Sequence, residues 1–147
     1  MGVITKRVNR YYCEYCGKSG CAGGHMRNHE QHCTKNPNRV CGMCAIAQQQ
    51  QAPMEALRAC LPDPANYVQV EHSEFGDFEI YTNLASAVAA AMPELRKIAE
   101  DCPACILSAL RQAGIPARSF LAEVFDFKKE CEAFWVEQNA FKQEAWM

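Results

Sequence analysis

The chain is 147 residues long, 49% hydrophobic and 22% charged, with a formal net charge of −2 and ten cysteines. That length allows one ordinary domain, or a small module attached to a body of roughly 100 residues. Its longest apolar candidate, Leu84 to Met92, is broken by Ser86 and falls far short of the roughly 20 residues that cross a bilayer, so no membrane partner is expected.

The first residues, MGVITKRVNRYY, carry charge with no apolar stretch behind it, and Lys6 stands where a myristoylation signal needs Ser or Thr. The expected location is therefore cytoplasmic. Charge is unevenly divided: residues 1–44 hold seven Lys or Arg against two acids, giving +5, and residues 45–147 hold eight against fifteen, giving −7. A basic head and an acidic body face different partners.

Taken in chain order, residues 1–10 read as a polar, basic arm or a first strand. Next comes Cys13-x2-Cys16-x12-His29-x3-Cys33. Two Cys on a tight knuckle supply one edge of a tetrahedron, and a His and a Cys four apart on one helical face supply the other, which is the spacing of a small zinc module. Gly17, Gly20, Gly23 and Gly24 break any long element before His25, leaving one short helix from about His25 to Cys33. A head of about 35 residues buries too little apolar surface to fold alone, whereas a structural zinc contributes on the order of 10–16 kcal/mol.

A second knuckle, Cys41-x2-Cys44, follows, and the domain boundary is placed near residue 45, giving a zinc module over 1–44 and a mainly helical domain over 45–147. Gln48 to Gln51 form a helix or a linker, and Pro53 opens a short helix through about Leu61. Leu61-Pro62-Asp63-Pro64 is a rigid turn. Tyr67 to Val70 and Phe78 to Tyr81 suit a small hairpin around Glu74-Phe75-Gly76-Asp77. From Asn83 the period is helical, with Leu84, Val88 and Met92 on one face, and Pro93 then opens a new segment holding Leu95 and Ile98. A further helix runs from about Pro103 to Ala113, with Ile106, Leu107 and Leu110 inward and Gly114 as terminator.

In the last stretch Phe120, Val124, Phe127, Cys131, Phe134, Gln138 and Phe141 keep a seven-residue period over three heptads. Leu121, Phe125 and Trp135 widen that stripe, which favours packing onto the preceding helices over a homodimer seam. Cys131 reads as a small buried hydrophobe.

Ten cysteines would suit a disulfide framework in a secreted protein, but six of them sit in three Cys-x2-Cys pairs without an export signal, so metal is expected. Cys41 and Cys44 have no His at finger distance, since the only later one is His72. Their best partners are Cys102 and Cys105 at a helix start, a four-cysteine site that would clamp head to body. One Zn²⁺ is expected at the first site; the four-cysteine arrangement allows a second, the alternative being that both pairs stay as free thiols. Cys102-Pro103-Ala104-Cys105 also admits a redox reading, against which stands the helix, rather than a strand, before it. Cys21, Cys60 and His72 receive no role.

Beyond its ligands, with Tyr11 two before Cys13 and Met26 three before His29, the segment resembles the C2H2 zinc finger family in a C2HC variant. TKNPNRV between Cys33 and Cys41 is similar to the linker that joins tandem fingers of that family. The resemblance covers residues 11–44 and implies a short finger-like ββα or knuckle-helix unit holding zinc. If such a finger read DNA, Ala22, His25 and Asn28 would face base edges. The sequence departs from the family at Gly20, where an aromatic is usual. Arg7, Arg10, Lys18, Arg27, Lys35 and Arg39 are the candidates for phosphate or partner contact.

A rival pairing of Cys13, Cys16, Cys41 and Cys44 around His25, His29 and His32 resembles zinc-stabilised HNH or His-Me finger nucleases, but GHMRNHEQH has no Asp beside its His residues. A short finger fused to a helical tail is also similar to uncharacterised zinc-finger proteins of tailed bacteriophages. No nucleophile with a base, phosphate-cradling loop or paired-carboxylate site stands out. The expectation is a mainly α, non-enzymatic protein whose basic zinc head and acidic helical body bind a protein partner, with nucleic-acid binding as the alternative and a nuclease as the second.

Overall fold

The computed structural model describes residues 2–116 and 121–146. Helices take up about half of the chain, and among the described residues two antiparallel hairpins account for the strands, so the mainly α expectation holds only in part. Residues 2–10 form no element and lie exposed.

In the head, β1 (Tyr11–Tyr12) pairs with β2 (Ser19–Gly20), Tyr11 opposite Gly20. Cys13 N–H donates to Lys18 O at 2.7 Å and Gly17, at φ +76°, donates to Cys13 O at 2.9 Å, which closes the knuckle. The helix behind it, α1 (Gly23–His32), begins two residues earlier than the glycines led us to expect. The Tyr11 ring explains this: a Cβ at Gly23 would lie 3.2 Å from it, so glycine lets helix and hairpin approach. Met26 is the buried residue of α1 and forms a small core with Cys13 and Cys33. Its Cε lies 3.8 Å from where a Gly20 Cβ would stand, so Met26 fills space that an aromatic side chain at position 20 would claim.

TKNPNRV is a folded turn. Asn36 is buried, its Nδ2 donating to Glu30 O at 2.7 Å while its Oδ1 accepts from Asn38 N–H. Arg111 donates to Thr34 Oγ1, and Gln112 Nε2 donates to Thr34 O and Asn36 O, so the end of a body helix holds this turn directly. The next helix, α2 (Gly42–Ile46), runs across the expected boundary at 44/45, and Cys41 and Cys44 lie in the core of the body.

The body is built around α5 (Pro103–Gln112), in which every residue from Pro103 to Leu110 is buried. Against it pack α3 (Met54–Ala59), α4 (Leu84–Ala99) and α6 (Phe127–Trp146). Between α3 and α4 a 3₁₀ turn, Pro64–Tyr67, leads into the hairpin of β3 (Val68–Ser73) and β4 (Gly76–Tyr81). The hairpin turns at Glu74 and Phe75, with Gly76 at φ +116° in the strand, and is mostly exposed. On its surface His72 Nδ1 lies 2.6 Å from Asp77 Oδ1.

Two boundaries differ from the sequence expectation. Pro93 lies inside α4 and starts no new segment. Proline forfeits one helical hydrogen bond, but Leu84, Val88, Met92, Leu95 and Ala99 are all buried along one face and hold the helix through it; the helix ends where Glu100 and Asp101 turn left-handed, at φ +51° and +59°. The last helix starts at Phe127, because Asp126 Oδ1 accepts Lys129 N–H and caps it. Phe120 lies outside the described residues. Leu121 and Phe125 are buried in a turn instead of on the helix.

The broad stripe of α6 is covered only in part. Phe134 is buried, while Phe127, Trp135, Val136 and Phe141 are exposed and Cys131 is half-buried. A bidentate pair from Arg96 on α4 to Glu130, at 2.6 and 3.1 Å, fixes the N-terminal end of α6, and Arg96 also lies 6.0 Å from the centre of the Phe125 ring. Among the described residues no helix is long and apolar enough to cross a membrane.

Candidate metal centres

Among the described residues two clusters bring four donors each to within 4.8 Å of one another: Cys13, Cys16, His29 and Cys33 in the head, and Cys41, Cys44, Cys102 and Cys105 in the body. All ten cysteines are free of disulfides. The pairing of Cys13 and Cys16 with Cys41 and Cys44 that a His-Me nuclease would need is therefore not the one the fold makes.

In the head centre, Cys13 and Cys16 come from the knuckle, His29 from the last turn of α1, and Cys33 from the residue that caps that helix. Cys16 Sγ lies 3.2 Å from His29 Nε2, against about 3.5 Å expected for the S–N edge of a zinc tetrahedron. Glu14 N–H donates to Glu30 Oε1, tying the knuckle to the helix beside the donors. Burial opposes ionisation of Cys13, but the backbone N–H groups of Cys16 and Tyr15 and the neighbouring thiols of Cys16 and Cys33 outweigh it and hold the Cys13 thiol below its ordinary value. Cys33 moves the other way, raised chiefly by burial. Cys13 and Cys33 are buried, while Cys16 lies at the exposed rim.

The body centre is built from two helix N-termini. Cys41 precedes α2 and Cys44 sits in its first turn; Cys102 precedes α5 and Cys105 sits in its first turn. Backbone N–H groups and helix dipoles thus favour negative charge on the sulfurs from both sides. Cys41 Sγ lies 3.5 Å from Cys102 Sγ, and Cys44 Sγ lies 3.5 Å from Cys105 Sγ. A sulfur tetrahedron around zinc with bonds of about 2.3 Å has edges of about 3.8 Å, whereas a disulfide needs about 2.05 Å, so the spacing fits the ion. All four residues are at most 2% exposed.

Four buried thiols cannot all ionise together without a cation. Hydrogen bonds from Cys102 and then Cys105 push the Cys41 thiol far below its ordinary value. Cys102 receives a hydrogen bond from Cys105 that favours its thiolate, but its role toward Cys41 and its burial raise it to about 12. Cys105 is raised strongly by Cys102, Cys41 and burial. A divalent ion must therefore displace at least the protons of Cys102 and Cys105. Since affinity falls as pH falls, apparent affinity at this centre should drop by at least about a hundredfold per pH unit on acidification, a slope that competition with a chromogenic chelator will measure. A slope near zero would contradict this protonation pattern.

Around the body centre stand two side chains that the sequence reading passed over. Gln51 accepts from Cys41 N–H at 2.7 Å and donates to Arg39 O at 2.7 Å, while Gln49 Nε2 lies 3.6 Å from Cys44 Sγ. A glutamine run gives no signal for this in sequence, because the partners are set by the turn at Gln48, which has φ +56°. Gln51→Ala should lower metal affinity at this centre by about 10- to 100-fold while leaving the head centre unchanged, as read by chelator competition.

The expected contact residues separate. Arg7, Lys18, Arg27, Lys35, His25 and Asn28 are exposed. Arg10 is exposed and donates twice to Ser19 Oγ, at 2.9 and 3.2 Å. Arg39 differs from these: it is 6% exposed, with Nε donating to His32 O at the C-terminal end of α1, and so is largely withdrawn from the surface that a partner would touch. Of the residues without a role, Cys21 is exposed and Cys60 is half-buried with its Sγ on Ala56 O. His32 Nδ1 bonds Val40 O at 2.8 Å.

Comparison with known proteins finds no family model that matches the chain, and no curated protein or solved structure similar to it. Both clusters can hold a metal ion, and their sulfur and imidazole donors are compatible with zinc.

Proposed function

We propose that this protein is a non-enzymatic zinc-binding adaptor: a C2HC finger-like head, locked onto a helical body by a four-cysteine zinc site, that offers exposed surfaces to a protein partner. The double four-donor arrangement carries this reading. Four protein donors leave no coordination position for water or substrate, which is the pattern of structural zinc. The ion would supply rigidity to Cys13, Cys16, His29 and Cys33 in the head and to Cys41, Cys44, Cys102 and Cys105 in the body. What remains for recognition is shape and charge, a basic head beside an acidic body.

Nucleic acid is the alternative partner, favoured by the exposure of Arg7, Lys18, Arg27 and Lys35. Salt separates the two. A head contacting about four phosphates would lose about a hundredfold in affinity between about 50 and 200 mM salt, and the double substitution Arg27→Ala with Lys35→Ala would weaken it further without loss of metal. The adaptor reading expects only weak, sequence-indifferent binding to DNA and RNA probes in fluorescence anisotropy, and a purified protein partner that stays bound across that range. Tight probe binding with the steep slope would replace it.

A further inference from the structure

Beside the body centre, α6 and the segment after α2 enclose a groove of about 640 Å³. Phe134, Ile46 and Phe141 line it, and among the described residues it also presents four carboxylates, Glu137 and Glu144 among them, against the one cation Lys142. Ile46 and Phe141 are 45% and 62% exposed, so apolar surface is left open to water inside a negative frame. At the other end of the chain, residues 2–10 are exposed and without secondary structure. Val3, Ile4 and Val8 are 96%, 85% and 69% exposed there, among the cations Lys6, Arg7 and Arg10.

We propose that the basic, β-branched arm of one copy of this protein occupies the acidic, aromatic groove of a second copy, the two arms exchanging to make a closed dimer. Complementarity supports this at both levels. Three exposed aliphatic side chains match three apolar groove residues, and cations flanking them match the groove's carboxylates. Length fits as well: nine extended residues reach about 30 Å, and the face of α6 from Phe134 to Glu144 is about 15 Å long. Reciprocal exchange places the same two patches on each protomer, so the assembly closes at two copies. This goes beyond the adaptor reading and does not depend on which partner the head binds.

The test is sedimentation equilibrium of the zinc-loaded full chain. The wild type should be a dimer that salt weakens. Lys6→Glu with Arg7→Glu, and separately Glu137→Lys with Glu144→Lys, should each weaken association by at least about tenfold, and an equimolar mixture of the two variants should recover it, because each reversed arm then meets a reversed groove. All four positions are exposed, and metal content measured alongside keeps a failure of docking distinct from a failure of the zinc sites. A wild-type monomer, a dimer indifferent to both charge reversals, or a mixture that stays monomeric would overturn the proposal.

Discussion

Replacing Cys102 by Ala will cost the protein one of two predicted metal equivalents and loosen the head from the body, leaving the Arg111 and Gln112 hydrogen bonds to Thr34 and Asn36 to hold it, while the head keeps its own ion. Cys102 is 1% exposed, stands at the N-terminus of the central helix α5, and lies 3.5 Å from Cys41. Without its thiolate the body centre falls to three donors, and a cation there would be bound far more weakly. A structural zinc supplies on the order of 10–16 kcal/mol, as much as the whole stability of a typical domain, about 5–15 kcal/mol. The loss should therefore abolish cooperative unfolding of the body, as well as hydrogen-exchange protection in Gly42–Ile46 and at the start of α5. If the variant kept two equivalents and wild-type protection, the four-cysteine site would not exist.

His29→Ala is the second large effect and should act on the other side of the molecule. It removes one equivalent from the head, whose apolar core consists of Met26 with two of the ligands, Cys13 and Cys33. So small a core cannot hold the hairpin and α1 together, and protection from β1 through α1 should vanish. The body should keep its metal and lose far less stability than in Cys102→Ala, since His29 belongs to the head cluster and the head's other tie to the body is the set of Arg111 and Gln112 hydrogen bonds to Thr34 and Asn36. Paired metal analysis and exchange mapping of the two variants give opposite patterns, which a single shared site could not produce.

Spacing carried much of the metal chemistry because ligand geometry is local. A knuckle of two Cys and a His and Cys four apart predict their own meeting, and Met26 beneath them follows from helical period. Pairing Cys41 and Cys44 with Cys102 and Cys105 came from elimination, and the fold brings those four together across 61 residues of separation in each pair. Other features were decided by tertiary contacts. Gly23 starts a helix because Tyr11 needs the room, Pro93 stays in a helix because an apolar face on either side of it is buried, and Arg39 lies inside because it caps the end of α1. The start of α6 was readable, since Asp126 is a capping residue, but the heptad pattern that runs through it concealed the break. Gln51 gave no sign at all, because its role depends on where the chain turns after α2.

Metal content of the wild-type protein, purified reduced and measured by native mass spectrometry with elemental analysis, tests the central claim most directly. Two zinc ions per chain are predicted, with all ten thiols free of disulfides. A metal-free protein whose residues 11–33 and 41–46 are nevertheless protected from exchange would contradict it.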